Sequence, residues 1–354
     1  MRRLRIVPGI LLFISTSIWA EIHSAAQTDS LINTGIRQTL LCDFDGAMAS
    51  FQKVVETDPG NPAGPFYLAA TLQSKMMDEE TDVLAAEFYK QIDRVIRMTK
   101  EDIKAGGRDP LAYEYLGSAY SYRGLFEAKQ GRLVKGVLHA HKGVGYLEEA
   151  LKLDSTLVDA CAGVGNYKYW SGHFYKYLRW LPFIRDEREP GIRLIRKTVE
   201  RGKRSRWVGV TSLGWIEFDR KNFKVGLELF ESGLREFPGS RFFLWGAADC
   251  AFGMKHFGLA VRLYSELLLS IRVSGGRNGY NEAECLFKLM KAFDSLGEGN
   301  QAVLQAQAIV ELKPSTVAVE SRIKKHRKAA RECLERDAQK TDAAARKTGN
   351  VQAE

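Results

Sequence analysis

Gly35, Ala47, Phe51 and Pro59 stand in a fixed rhythm, the last three lying 12, 16 and 24 residues beyond the first. The same residue classes return at those offsets along the chain. Tyr113, Leu116, Gly117 and Tyr120 with Ala150 form one set, and Leu213, Gly214, Phe230 and Pro238 form another. Ala260 with Tyr264, and Leu289, Phe293, Ala302 and Pro314, continue the series. Such a period constrains a fold more than any single motif does. Each period must be one supersecondary unit that buries its apolar face only by stacking on its copies.

Unit starts placed on these anchors fall at 28, 62, 110, 158, 207, 241 and 283, with spacings of 34, 48, 48, 49, 34 and 42. Three consecutive units are about fourteen residues longer than the shortest ones, which adds about two turns to each helix of a pair. Residues 81–104 contain neither Gly nor Pro and so predict a long helix in the second unit. Pro182 and Pro190 break the fourth unit, so much of its excess is expected to be a connector. Only nine prolines occur in 354 residues, too few turn residues for an all-β chain.

The offsets fit the pattern W-x2-L-G-x2-Y, A-x3-F, P, and the chain thereby resembles the tetratricopeptide repeat family. It departs from that pattern in having no Trp at the first aromatic place and in a poorly matching second unit. The resemblance implies an all-α solenoid of antiparallel helix hairpins, several with lengthened helices, over residues 27–316. A capping helix is expected over 317–335 and a disordered tail over 336–354, where Ala, Lys, Asp, Thr and Gln dominate. In the family, certain positions of each unit's first helix line a concave partner-binding face. Carried over, they give Glu114, Ser118 and Tyr122 in the third unit and Asn166, Tyr169 and Trp170 in the fourth. Trp215 and Phe218 follow in the fifth, then Phe242, Trp245, Asp249 and Phe252 in the sixth. Large aromatics concentrate binding energy when a partner covers them. Asn166 and Asp249 are candidates for holding an extended peptide's backbone.

Arg2, Arg3 and Arg5 precede a short apolar run at 10–14, and small residues follow at Ser24, Ala25 and Ala26. This is the pattern of a secretory leader over residues 1–26, with Ala20 a second cleavage candidate. The body is therefore expected to be exported, periplasmic or envelope-associated. The net charge of +9 is concentrated in part between residues 176 and 206. Lys176, Arg179, Arg193, Arg196, Lys197, Arg201, Lys203 and Arg204 are the candidate basic patch. An exported chain meets little nucleic acid, so anionic lipid, anionic wall polymer or an acidic protein surface suits the patch better. Aromatics alternate with basic residues over 174–183, a mixture that suits a membrane interface.

No HExxH, GxSxG or GxxxxGK stands in the sequence, and the five cysteines are too far apart for a CxxC pair. His139 and His141 are two residues apart and point to different sides of a helix. No cofactor or metal is implied. The sequence reads as a non-catalytic scaffold gripping another envelope protein or an extended peptide. A membrane or wall-polymer binder using 174–206, and an enzyme built from residues that converge only in space, are the alternatives.

Overall fold

The computed structural model describes residues 26–178, 180–275, 279–313 and 316–351. Helix α1 covers 26–40. It is followed by α2 (Phe44–Thr57), α3 (Ala63–Asp78), α4 (Ala85–Lys104), α5 (Pro110–Lys129) and α6 (Leu133–Leu153). Next come α7 (Ala160–His173), the one-turn α8 (Tyr175–Leu178), α9 (Arg188–Arg201), α10 (Arg206–Asp219) and α11 (Phe223–Glu236). The chain continues with α12 (Arg241–Gly253), α13 (Phe257–Val273), α14 (Tyr280–Leu296), α15 (Gly299–Glu311) and α16 (Val317–Val351). No strand occurs among the described residues.

The hairpins are α1/α2, α3/α4, α5/α6, α7/α9, α10/α11, α12/α13 and α14/α15, and α16 packs on the last. Small residues make the close approaches. An added Cβ at Gly117 would meet the Gly143 carbonyl at 2.7 Å, and one at Gly136 would meet the Gly124 carbonyl at 2.6 Å. Two facing glycine pairs therefore let the long helices α5 and α6 lie nearly backbone to backbone. Ala47, Ala150, Ala260 and Ala302 are all buried. Phe51 stacks on Tyr67 of the next unit at 5.4 Å, and Tyr264 lies fully buried among the aliphatic residues of units six and seven. Asp43 caps α2 by accepting from the Gly46 amide at 3.1 Å, and Asp109 caps α5 with Pro110 behind it.

The added length is distributed unevenly. Helices α4, α5 and α6 have 20, 20 and 21 residues, so the third unit is stretched in both arms. The fourth unit is not. Its α7 and α9 have 14 residues each, and the surplus forms the connector 174–187. The last helix runs on past 335 to Val351, where a disordered tail was expected, because Ala, Lys, Arg and Gln are strong helix formers. The expected leader lies outside the described residues except for Ala26, which is helical, and so does Pro314.

The rod is wound tightly enough to return on itself. In an antiparallel stack the turns inside hairpins emerge at one edge and the turns between hairpins at the other. The first edge of units one and two meets the second edge of units five to seven. Arg37 donates to Glu236 at 2.7 Å and lies over the Phe237 ring, while Phe44 meets Phe242 edge-on at 6.2 Å. Leu40 packs on the apolar cluster around Val210 and Phe230. Arg241 grips Asp78 through Nε and one terminal nitrogen at 2.6–2.9 Å, with side chains only 8% and 6% exposed. Asn281 donates to the Asp78 carbonyl at 2.6 Å, and Arg322 pairs with Glu80 at 3.0 Å.

Candidate partner-binding surface

The inner helices carry the expected aromatic series. Tyr122, Trp170, Trp215, Phe218, Trp245 and Phe252 are all half-buried, and so is Phe242, which the seam sets against Phe44 of the first unit. Trp215 packs edge-on against Phe218 at 5.6 Å and Phe230 at 5.3 Å. Phe252 leans on Phe257 and receives the Lys288 ammonium over its face at 5.2 Å. Tyr122 meets Phe66 edge-on at 5.5 Å.

Tyr169 does not belong to this face. It is 1% exposed, packs on Ile192 and Ile195, and donates its hydroxyl to Asp219 at 2.6 Å. His173 reaches the same Asp219 oxygen at 2.9 Å. The reason lies in how closely α7 and α9 approach. Gly165 and Gly191 bring the two backbones together, so Tyr169 is enclosed rather than presented.

The two candidate peptide-holding polar groups are engaged inside the fold. Asn166 donates to the Ala162 carbonyl at 2.9 Å and to Ser212 at 3.0 Å. Asp249 accepts from Tyr264 at 2.5 Å and from Lys288 at 2.9 Å. These bonds lock α7 to α10 and α12 to α14, so both residues set the spacing of the inner wall.

Arg204 also leaves its expected place. It turns inward from the α9–α10 turn, donating to Asp29 at 2.6 Å and to the Tyr115 hydroxyl at 3.1 Å. The hollow is therefore filled at this level by the chain's own turn. Asp159 holds that turn by accepting from the backbone amides of Lys203, Arg204 and Ser205 at 2.8–3.2 Å. Arg193, Arg196, Arg201 and Lys203 remain exposed, with Arg196 3.5 Å from Glu217, and Lys197 is half-buried. The Lys176 side chain and Arg179 lie outside the described residues.

Glu114 faces this crowded region. Burial, with the neighbouring Asp159 charge, pushes its carboxyl up to about 8, while Arg204 pulls the other way. A carboxyl that binds its proton more tightly when folded supplies stability in full below the ordinary value of 4.5. That stability is lost as pH rises toward 8. Thermal melts across this window should show Glu114→Gln gaining on the parent as pH rises. The gain should be about 2 kcal/mol at its largest, since the group is partly solvated. Parallel melting curves would remove Glu114 as the cause.

Among the described residues no group of three His, Cys, Asp or Glu is placed to hold a metal ion. All five cysteines are free, and burial pushes the Cys42 thiol up to about 11. The residues that sequence reasoning missed are Asp78 and Arg241. Neither stands at a repeat anchor, and they are 163 positions apart.

No family model matches the sequence, and no curated protein matches it. Solved structures do align with it. The crystal structure of the APC/C hetero-tetramer Cut9-Hcn1 aligns with a TM-score of 0.52 at 15% identity, covering 85% of this chain and 48% of that one. This chain thus spans about half of that longer one. YrrB, described as a TPR protein with an unusual peptide-binding site, aligns at 0.43 and 13% identity over 64% of this chain and 97% of its own. PilW, described as a widely conserved type IV pilus biogenesis factor, aligns at 0.46 and 12% identity over 73% and 98%. The stacked hairpins, and the glycine, alanine and aromatic contacts that fall at the repeat offsets, give this chain an all-α solenoid fold of antiparallel helix hairpins, the architecture it shares with the Cut9-Hcn1 structure.

Proposed function

We propose that the chain is an exported, non-catalytic scaffold of the cell envelope that grips another envelope protein, or an extended segment of one, on the inner wall of units four to six. One observation carries this reading. Trp170, Trp215, Trp245 and Phe252 recur on successive inner helices, and none is fully enclosed by its own fold. Rigid aromatics partly desolvated in advance lose little entropy on binding and are the residues that dominate interfaces. The internal bonds of Asn166 and Asp249 support it further, because a wall whose spacing is already fixed needs no reordering when a partner arrives.

A photo-crosslinking side chain at Phe252 in intact cells should capture one dominant partner. Trp215→Ala and Trp245→Ala, each combined with the crosslinker, should weaken that capture at least about tenfold. The far-ultraviolet spectrum and melting temperature should stay near those of the parent. Capture that survives both substitutions would refute the inner wall as the gripping surface. Replacing Tyr169 is a different experiment, since it removes a core residue and should lower stability first. Mass analysis of the mature N-terminus tests the export reading; an uncleaved chain retained in the cytoplasm would overturn it.

A further inference from the structure

The seam between units one to two and units five to seven stops at the Arg322–Glu80 pair. The same edge continues into units three and four, where nothing among the described residues is stacked on it. Two structures emerge there together, because both are turns inside hairpins. One is the tip of the stretched α5/α6 hairpin. The other is the connector between α7 and α9.

The two are joined into one surface. Leu181 and Ile184 of the connector pack on Val137 of α6, and Phe183 stacks on His141 at 4.0 Å. Helical spacing puts Val134 and Leu138 on that same face of α6, one turn nearer the tip. Val134 is 49% and Leu138 48% exposed, with Leu133 at 55% beside them. In the connector Tyr177 is 65% and Trp180 62% exposed. Scattered exposed apolar residues need no explanation, but this many on one edge do.

The charges around the surface identify what would cover it. Arg132, Lys135 and Arg185 are all exposed along it. The acids nearby are already occupied. Glu127 is buried against His139 at 2.6 Å with Lys135 3.6 Å away, Asp186 is held by Arg188 at 2.7 Å, and Glu187 is held by Lys168 at 3.0 Å. Apolar side chains, Tyr and Trp rings with polar atoms, and a rim of exposed cations match the layers of an anionic bilayer surface. Acyl chains, the headgroup boundary and phosphate each find their complement.

We propose that the α5/α6 tip, Tyr177 and residues 180–185 of the connector together form a membrane-docking edge that seats the solenoid on an anionic lipid surface. Trp215, Trp245 and Phe252 belong to units five and six, outside this edge, so the solenoid can be held on a membrane while that part of the wall stays open to a partner. This goes beyond the scaffold reading and does not depend on it.

The test is co-sedimentation of the purified protein with vesicles, every variant carrying the same N-terminus. Vesicles of mixed phosphatidylglycerol and phosphatidylcholine should bind it at least about tenfold more than phosphatidylcholine alone, and high salt should remove most of that difference. Trp180→Ala with Tyr177→Ala should lower binding about tenfold. Val134→Ser with Leu138→Ser should do the same with an unchanged melting temperature, since both side chains are already half in water. Quenching of tryptophan emission by brominated lipid should depend on Trp180. Trp215→Ala, which weakens partner capture on the other reading, should leave vesicle binding unchanged. Equal binding to neutral and anionic vesicles, or full binding by both double variants, would overturn the proposal. So would concentration-dependent dimers abolished by Leu138→Arg, which would make a second copy the occupant.

Discussion

Replacing Arg241 with leucine should cost the protein about 3–5 kcal/mol. The guanidinium makes three hydrogen bonds to Asp78 and one to Ser270, and its removal leaves the Asp78 carboxylate enclosed without a counter-charge. Asp78→Leu should cost a similar amount by stranding the arginine. The double variant should recover much of the loss, because two apolar side chains of matched size can share a buried site that neither charge tolerates alone. Denaturant unfolding measures all three, and small-angle scattering reports whether the seam has opened. Additive losses, or single variants within about 0.5 kcal/mol of the parent, would show that the pair does not hold the two parts of the solenoid together.

The second large effect is steric. The Phe230 ring lies between Gly214 on its own hairpin and Gly246 on the next. A Cβ at Gly214 would stand 2.6 Å from the ring, and one at Gly246 only 2.2 Å. The ring cannot retreat from either glycine without striking the other. Gly246→Ala should therefore destabilise by about 3 kcal/mol, at the upper end of overpacking costs. Phe230→Leu should cost about 1–2 kcal/mol alone, yet should improve the Gly246→Ala background by shortening the trapped side chain. If Phe230→Leu makes that background worse, the ring is not what the new methyl meets.

Repeat anchors are legible because their physics is local. Gly117 faces Gly143, and Gly214 faces Phe230, within one hairpin, so each contact leaves a fixed interval in the sequence. The prolines of the fourth unit likewise mark the connector that replaces longer helices there. What the intervals do not carry is how tightly the stack winds. The seam pairs join positions 163 to 242 apart and follow no period, so neither Arg241–Asp78 nor Arg322–Glu80 leaves a pattern. Winding also decides the fate of some candidate residues. Arg204 reads as part of a basic run, but the return of the first unit gives it Asp29 as a partner, beside Tyr115 of the third unit. Tyr169 occupies a partner-facing offset in the repeat pattern, yet the close approach at Gly165 and Gly191 encloses it.

A simple linear array of hairpins can gain or lose a member and frays first at its ends. Here the opening hairpins are bolted to the sixth and seventh. Deleting or duplicating any unit between them would carry Arg241 away from Asp78 by a whole step, so the tally of repeats is itself fixed by geometry. Neither flank of the bolt can melt without dragging the other, and the molecule should come apart in one transition instead of peeling inward from its first helix.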